Sequence, residues 1–414
     1  MPVGFTARVL VYYATQDLIP LYSAYALLFA DAGLATAQIS LLFVVWSGTA
    51  LVLEVPSGAW ADLADRRLLL VIAAGIYAAA FVSWLLFPCF AGFAAGFALW
   101  GLSGSMMSGT FEALLYDELS LLGAAGSYPR LIGWAHAAAM SANLAAAGLA
   151  VPLLAVGGYR LVGWVSVAMV GIHLVLAASL PVSAHARRPH PGDDALQVAE
   201  RVVVRYARML GSGVHEAGTS PLVRRVVVIA ALLVGLAAYD EYFPLVARAH
   251  DVTLSVIPVL LAIQVAGQGV GTALVGVTAR LPSRTLGGLT ALGAGCVSVG
   301  AMIHPYPGFV AIGVGYGLLA NAMLVAESRL QEVIVGPARA TVTSVHGLAS
   351  ELVTLCIYGA FGLSAGWFEV TTLVALLGIP VLVVSLGVAR WLPERDIRRP
   401  PRTNGSDAAR GFDR

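Results

Sequence analysis

Apolar residues run through this chain in long blocks separated by short polar turns. Twelve blocks can be drawn, at roughly 7–30, 37–61, 68–87, 90–117, 130–156, 160–181, 223–247, 254–279, 285–304, 307–333, 338–364 and 367–391. Each is close to the roughly 20 apolar residues that a helix needs to cross a bilayer. The pattern predicts an all-α integral membrane protein. Only one hydrophilic stretch is long, and it divides the blocks six and six. The expected organisation is a helix bundle at 1–181, a linker at 182–222, a second bundle at 223–392 and a polar, disordered tail at 393–414. In the linker, apolar residues at 196, 199, 203, 207 and 210 alternate with Arg201, Arg205 and Arg208. That spacing predicts an amphipathic helix resting on the membrane surface or against the helix ends.

Composition agrees with the pattern. The hydrophobic share is 59% against 11% charged, and mean hydropathy is +0.84, outside the range of soluble domains. The net charge of +1 gives no basic face for nucleic acid. All 24 basic residues are arginine, a usage that fits a GC-rich bacterial genome. Only Arg160 and Arg248 fall in the odd-to-even loops; the others sit with the termini, the linker and the even-to-odd turns. Basic residues stay on the cytoplasmic side, so both termini are expected inside a bacterial cytoplasmic membrane. Cys89, Cys296 and Cys356 are isolated from one another and read as inert thiols. The first apolar stretch reads as one span among many, not as a cleavable leader.

The two halves echo each other. Asp17 to Pro20 followed by leucine recurs as Glu241 to Pro244 followed by leucine. Glu112 precedes Asp117 in block four as Glu327 precedes Glu332 in block ten. Arg130 and His136 in block five match Arg339 and His346 in block eleven. Shared positions in the same order along both halves argue for a duplicated six-helix unit.

The turn between blocks two and three, GAWADLADRR from Gly58 to Arg67, carries Asp62, Asp65, Arg66 and Arg67. Gly58 lies one helical turn before Asp62, so the backbone can be approached closely where the carboxylate reaches the interface. This turn resembles the signature loop of the major facilitator superfamily: Gly58, Asp62, Arg66 and Arg67 match it, while Leu63 and Asp65 replace a usual basic residue and a usual glycine. The resemblance implies two pseudo-symmetric six-helix bundles around a central cavity, alternating access by rocking of the halves, and secondary transport by a monomeric unit with no cofactor. The family's early arginine in span four and its span-five antiporter motif are not reproduced. Neither a phosphate loop, a dinucleotide fingerprint, a metal-ligand cluster nor a nucleophile triad appears, so neither an enzyme nor an ATP-driven pump is expected.

Charged groups in a bilayer cost about 2.5–3.5 kcal/mol each on insertion scales. The blocks nevertheless hold Asp17, Glu54, Glu112, Asp240, Glu241, Glu327 and Glu351, with no arginine comparably deep. Such carboxylates must be protonated, solvated in a cavity, or matched by a cationic ligand. Asp17, Glu112, Asp240, Glu241 and Glu327 are therefore the candidates for proton coupling or substrate contact; each has the alternative of a hydrogen bond kept for packing. On one regular helix Asp240 and Glu241 are about 100° apart, so one is expected to face the cavity and the other a helix contact. Gly58, Asp62, Arg66, Arg67, Asp117, Arg130 and Arg339 are the candidates for a cytoplasmic gate. Glu54, His136, His346 and Glu351 are secondary polar candidates.

The function expected is proton-coupled efflux of a small amphipathic or cationic compound. Uptake of a small metabolite is the alternative within transport, and a polytopic membrane enzyme or non-transporting sensor is the alternative outside it. If the chain follows the family's packing, Asp62 meets the N-terminal dipole of the helix that begins near Arg339, an interaction of about 0.3–1 kcal/mol. Asp62→Asn is then expected to insert normally but to lose most transport. Full transport by this variant in proteoliposomes removes Asp62 from the gate.

Overall fold

The computed structural model describes residues 3–63, 65–180, 211, 220–334 and 339–394, excluding the side chains of 55–63, 339 and 340. The amphipathic helix expected at 196–210 and the tail beyond 394 lie outside the described residues. The described residues are helical throughout, without strands. Nine helical stretches among them are long and apolar enough to cross a membrane. One of these, Ala125–Ala178, contains two of the expected spans. They reverse at Gly158, whose φ of 56° and ψ of −156° are accessible to glycine and not to an L side chain.

Ten of the twelve expected blocks fall in those nine stretches. Block one is covered by two shorter helices with a 3₁₀ turn between them, and block eight by the shorter apolar helix Ile257–Ala273 with Val275–Thr278. Spans are numbered below by block. Span 1 comprises Val3–Asp17, a 3₁₀ turn at Pro20–Ser23, and Tyr25–Asp31. Spans 2 and 3 are Thr36–Leu63 and Arg66–Leu86. Span 4 is Phe90–Met107 followed by Thr110–Leu121. Spans 5 and 6 share Tyr128–Ala178. Span 7 joins Pro221–Leu236, the 3₁₀ turn Ala237–Tyr242 and Phe243–Ala249. Span 8 is Ile257–Ala273 with Val275–Thr278, span 9 Ser283–Met302, span 10 Pro305–Val333 and span 11 Arg339–Ser364. Span 12 is Val370–Leu376 with Gly378–Trp391. The side on which span 1 begins is the near side; the other is the far side.

Local chemistry sets several boundaries. Asp65, in the position where the signature loop usually has glycine, caps span 3: its side chain accepts a hydrogen bond from the Leu68 amide at 3.0 Å. Ser220 caps span 7 and Pro221 opens it, a position where the missing N–H costs nothing. Span 4 is not continuous. Gly109 adopts φ 71°, ψ −30°, and splits it one turn before Glu112. Above the break, Gly101 abuts the span 2 backbone at Trp46 and Ala50, and the Ser105 hydroxyl donates to the Ala50 carbonyl at 3.3 Å.

Packing repeats with an offset of six spans. Spans 3 and 4 pack together as spans 9 and 10 do; spans 2 and 4 as spans 8 and 10 do; spans 3 and 6 as spans 9 and 12 do. Across the halves, span 2 meets span 11 and span 5 meets span 8, the exchanged pair that a twofold relation requires. In lipid, helix association relies on close backbone approach. Span 10 achieves it with glycine on two sides: Gly313 and Gly317 lie against Gly267 and Gly271 of span 8, and Gly308 and Gly315 against Gly300 and Gly293 of span 9.

Arg329 of span 10 is 1% exposed. Its guanidinium donates to the Ser283 hydroxyl at 2.6 Å and to the carbonyls of Leu281 at 2.6 Å and Pro393 at 2.8 Å. It thus ties spans 9, 10 and 12 together at the near side, and a buried arginine in this position departs from the expectation drawn from the sequence.

A Cβ added at Gly271 runs into the Gly317 backbone, which cannot give way, whereas one added at Gly276 meets nothing within 4 Å. Gly271→Ala is expected to destabilise the protein by about 1–3 kcal/mol through overpacking, read as a lower Tm in detergent. Gly276→Ala, on the same span, should leave Tm unchanged.

Candidate functional site

Spans 1 and 7 both lose α-helical geometry at mid-depth, and their breaks face each other across a central cavity of about 390 Å³. In span 1 the α-helix stops at Asp17, and Pro20 cannot donate to the helix before it. The Leu21 amide is instead satisfied by the Ser166 hydroxyl of span 6 at 3.0 Å. In span 7, Ala237–Tyr242 winds as a 3₁₀ helix ahead of Pro244. Irregular backbone at membrane depth is tolerated where it lines a cavity or is buried in protein, and broken helices at the midplane are the recurrent setting of carrier binding sites.

Asp17, Asp240 and Glu241 all line this cavity, together with the rings of Tyr22, Tyr25, Trp46 and Trp100 and the amides of Gln16, Asn143 and Gln264. Among the described residues that line it, none is basic. Asp240 and Glu241 do not divide between cavity and helix contact as a regular helix would require, because their segment is not α-helical. Each carboxylate also accepts a tyrosine hydroxyl: Tyr316 donates to Asp240 at 2.7 Å, and Tyr25 donates to Glu241. The first bond stays within the second half; the second crosses between the halves. Asp17 has no hydrogen-bond partner among the described residues.

The remaining candidates lie elsewhere. Glu112 and Glu327 do not line the cavity. Glu112 follows the span 4 break beside Phe111, which packs with Tyr12 and Tyr13, and His136 meets Tyr13 edge-on with centroids 5.4 Å apart. Glu327 is exposed on span 10, within electrostatic range of the largely buried His346. Glu351 accepts from Ser47 across the span 2–span 11 seam, and Glu54 lies nearer the near side on span 2. On the near side Arg66 pairs with Asp117, while Arg130 stacks over Trp134 at 4.7 Å. Gly58 and Asp62 belong to the last turns of span 2 and Arg339 to the first of span 11; their side chains lie outside the described residues.

Residues not anticipated from the sequence close the far side. Arg248, in the last turn of span 7, donates to Asp31, the last residue of span 1, at 2.7 Å, and Tyr159 donates to the same carboxylate at 2.6 Å. Tyr242 donates to Ser40 of span 2 at 2.9 Å, with Phe43, Tyr358 and Phe361 packed around it. On the far side, therefore, contacts bridge the two halves. Arg248 was visible in sequence as one of two loop arginines, but its acceptor lies 217 positions away.

The Major Facilitator Superfamily model matches residues 5–353, and the chain belongs to that family. It is a membrane transporter, not an enzyme. Among solved structures, a bacterial homologue of the iron transporter ferroportin in its inward-facing state superimposes with a TM-score of 0.74 at 14% identity, covering 94% of this chain and 99% of that one. The nucleoside transporter NupG gives 0.69 at 11% identity, covering 95% and 100%. A D-xylose–proton symporter gives 0.66 at 14%, covering 95% and 97%. At such identities the likeness is one of fold. No curated protein matches the chain in sequence.

Because the Arg248–Asp31 pair is partly exposed, its loss is worth at most about 1 kcal/mol. With Cys89, Cys296 and Cys356 replaced, a cysteine at Ser40 reports on the far-side seam. Arg248→Ala is expected to speed its maleimide labelling from the far side several-fold, and Asp31→Ala to do the same without adding to it. An unchanged rate in both variants would show that closure does not depend on this pair.

Proposed function

We propose that this major facilitator superfamily member exports a small amphipathic cation in exchange for protons, across a bacterial cytoplasmic membrane with both termini in the cytoplasm. The observation that carries the reading is the cavity itself, where three carboxylates are gathered and no lining residue among those described is basic. A carboxylate in low dielectric is stable when it holds a proton or pairs with a cation, and costly when it holds neither. The cavity carboxylates therefore accept protons and substrate in turn. Binding of a cation releases a proton, and reprotonation releases the cation. Joined to alternating access, that competition is exchange transport.

Asp17 has the geometry to carry it. It terminates the helix Val3–Asp17, and the negative end of that helix dipole adds to its attraction for a cation. Glu112 and Glu327, away from the cavity, would serve as relay or packing groups. Tyr25–Glu241 and Ser47–Glu351 cross the halves and must break when the far side opens, so protonation of either carboxylate bears on which side is open. Among the described residues no group of three His, Cys, Asp or Glu is set to hold a metal ion, and the aromatic lining favours an organic cation over the metal named for the ferroportin homologue. Uptake of a neutral metabolite is the second reading; Gln16, Asn143 and Gln264 supply the amides a hydroxylated solute would use.

One pH unit is worth about 1.4 kcal/mol per proton, or tenfold accumulation in electroneutral one-for-one exchange. Proteoliposomes with an acidic lumen are expected to accumulate radiolabelled lipophilic cations, and to lose them when the gradient is collapsed. Asp17→Asn should abolish accumulation against a gradient while leaving exchange measurable at high substrate. Sodium-driven activity at zero pH gradient would overturn the proton reading. Accumulation of a neutral sugar or nucleoside in place of cations would overturn export of cations.

A further inference from the structure

The cavity's polar and aromatic groups are not mixed evenly. The rings of Tyr22, Trp46 and Trp100 form one wall, all from the first half: Tyr22 stacks on Trp100 with centroids 5.1 Å apart and planes 2° from parallel, and Trp46 lies against Trp100 at 4.8 Å. The Tyr22 hydroxyl is taken up by Tyr77. On the carboxylate side, Asp240 already accepts from Tyr316 and Glu241 from Tyr25. Asp17 alone of the three is left without a donor among the described residues, on the same span as Tyr22.

This division specifies a ligand. An unsatisfied carboxylate in a partly desolvated site calls for N–H donors, and a charge-assisted N⁺–H···O⁻ bond is about twice as strong as a neutral one. A permanently methylated nitrogen offers charge without a donor and leaves the Asp17 oxygens unmatched. The surface that these three rings turn to the cavity offers apolar contact to a ring and adds attraction for a cation beside it. The volume of about 390 Å³ lies at the small end of the range for ligand pockets, about 300–1,000 Å³.

We infer that the cavity takes a protonated aromatic amine, its ring laid on the Trp46–Trp100–Tyr22 wall and its ammonium N–H groups on Asp17, and that it ranks such an amine above the quaternary ammonium of the same skeleton. The inference rests on the cation reading above and narrows it to a class. Asp17 acts as the donor-reading group, and the wall as the group that reads shape and charge.

The test measures binding to the purified full chain in detergent by calorimetry, with phenethylamine, its N,N,N-trimethyl derivative and 2-phenylethanol. The amine is expected to bind about tenfold or more tightly than the trimethyl compound, the span of one charge-assisted hydrogen bond, and the alcohol more weakly than either. Asp17→Asn should bring the amine down to the level of the trimethyl compound, and Asp17→Glu should restore part of the preference. Trp100→Leu should weaken both cations together and keep their ratio; Tm and gel filtration establish that each variant is folded. A trimethyl compound bound as tightly as the amine, or a preference that survives in Asp17→Asn, overturns the amine assignment and leaves export of cations standing. Binding of the alcohol with neither cation, or of none of the three, overturns both.

Discussion

A carboxylate held at membrane depth must be given a proton, a donor or a cation, and the interior of this protein is organised around that demand. Asp240 takes the Tyr316 hydroxyl, Glu241 that of Tyr25, and Glu351 that of Ser47. These answers are not equivalent. The Tyr316 bond stays inside one half, so it survives any rocking of the halves; the Tyr25 and Ser47 bonds cross the seam and depend on its being closed. Asp17 is provided with no donor by the described residues, and it is the carboxylate that we propose the solute meets.

The same constraint shapes the backbone. A helix that stops at mid-depth exposes its last carbonyls, and hydrocarbon cannot satisfy them. Span 1 stops at Asp17 and span 7 turns 3₁₀ at Ala237, both beside the cavity, and a hydroxyl from span 6 answers the Leu21 amide. Around these interruptions the scaffold is rigid by close approach. Glycine contacts lock spans 8, 9 and 10, and Arg329 fastens the near end of that group through a hydroxyl and three backbone carbonyls. The 3₁₀ turns within spans thus fall on the two spans that face the cavity with their breaks.

The spans, the family and the acidic excess were legible because each depends on composition or on residues close in sequence. Apolar block length reports bilayer thickness directly, and Gly58, Asp62, Arg66 and Arg67 sit within ten positions. The repeat of Asp17 and Glu241 ahead of proline was legible as a duplication, although the two breaks and their 3₁₀ form, which lets Asp240 and Glu241 share one cavity, were not visible. What escaped was set by tertiary contact. Trp46 and Trp100 belong to different spans and carry no linear signal as a pair. Gly109 carried no sign of a break in sequence, because its positive φ is a property of the fold and not of the spacing. Arg329 read as a near-side charge, since nothing in sequence shows that Ser283, Leu281 and Pro393 converge on it.

Spans 5 and 6 reverse direction through a single non-helical residue, Gly158, with hydrogen-bonded helix on either side of it. A reversal of this length leaves no loop between the two arms, so the end of one fixes where the other begins. Span 5 is the arm that meets span 8 across the seam, near Met140 and Gly269. Span 6 is the arm whose Ser166 holds the Leu21 amide and whose His173 contacts Thr15, on either side of the break in span 1. The contact of span 5 with the second half and the contacts of span 6 with the stretch of backbone that presents Asp17 are thereby joined through one glycine.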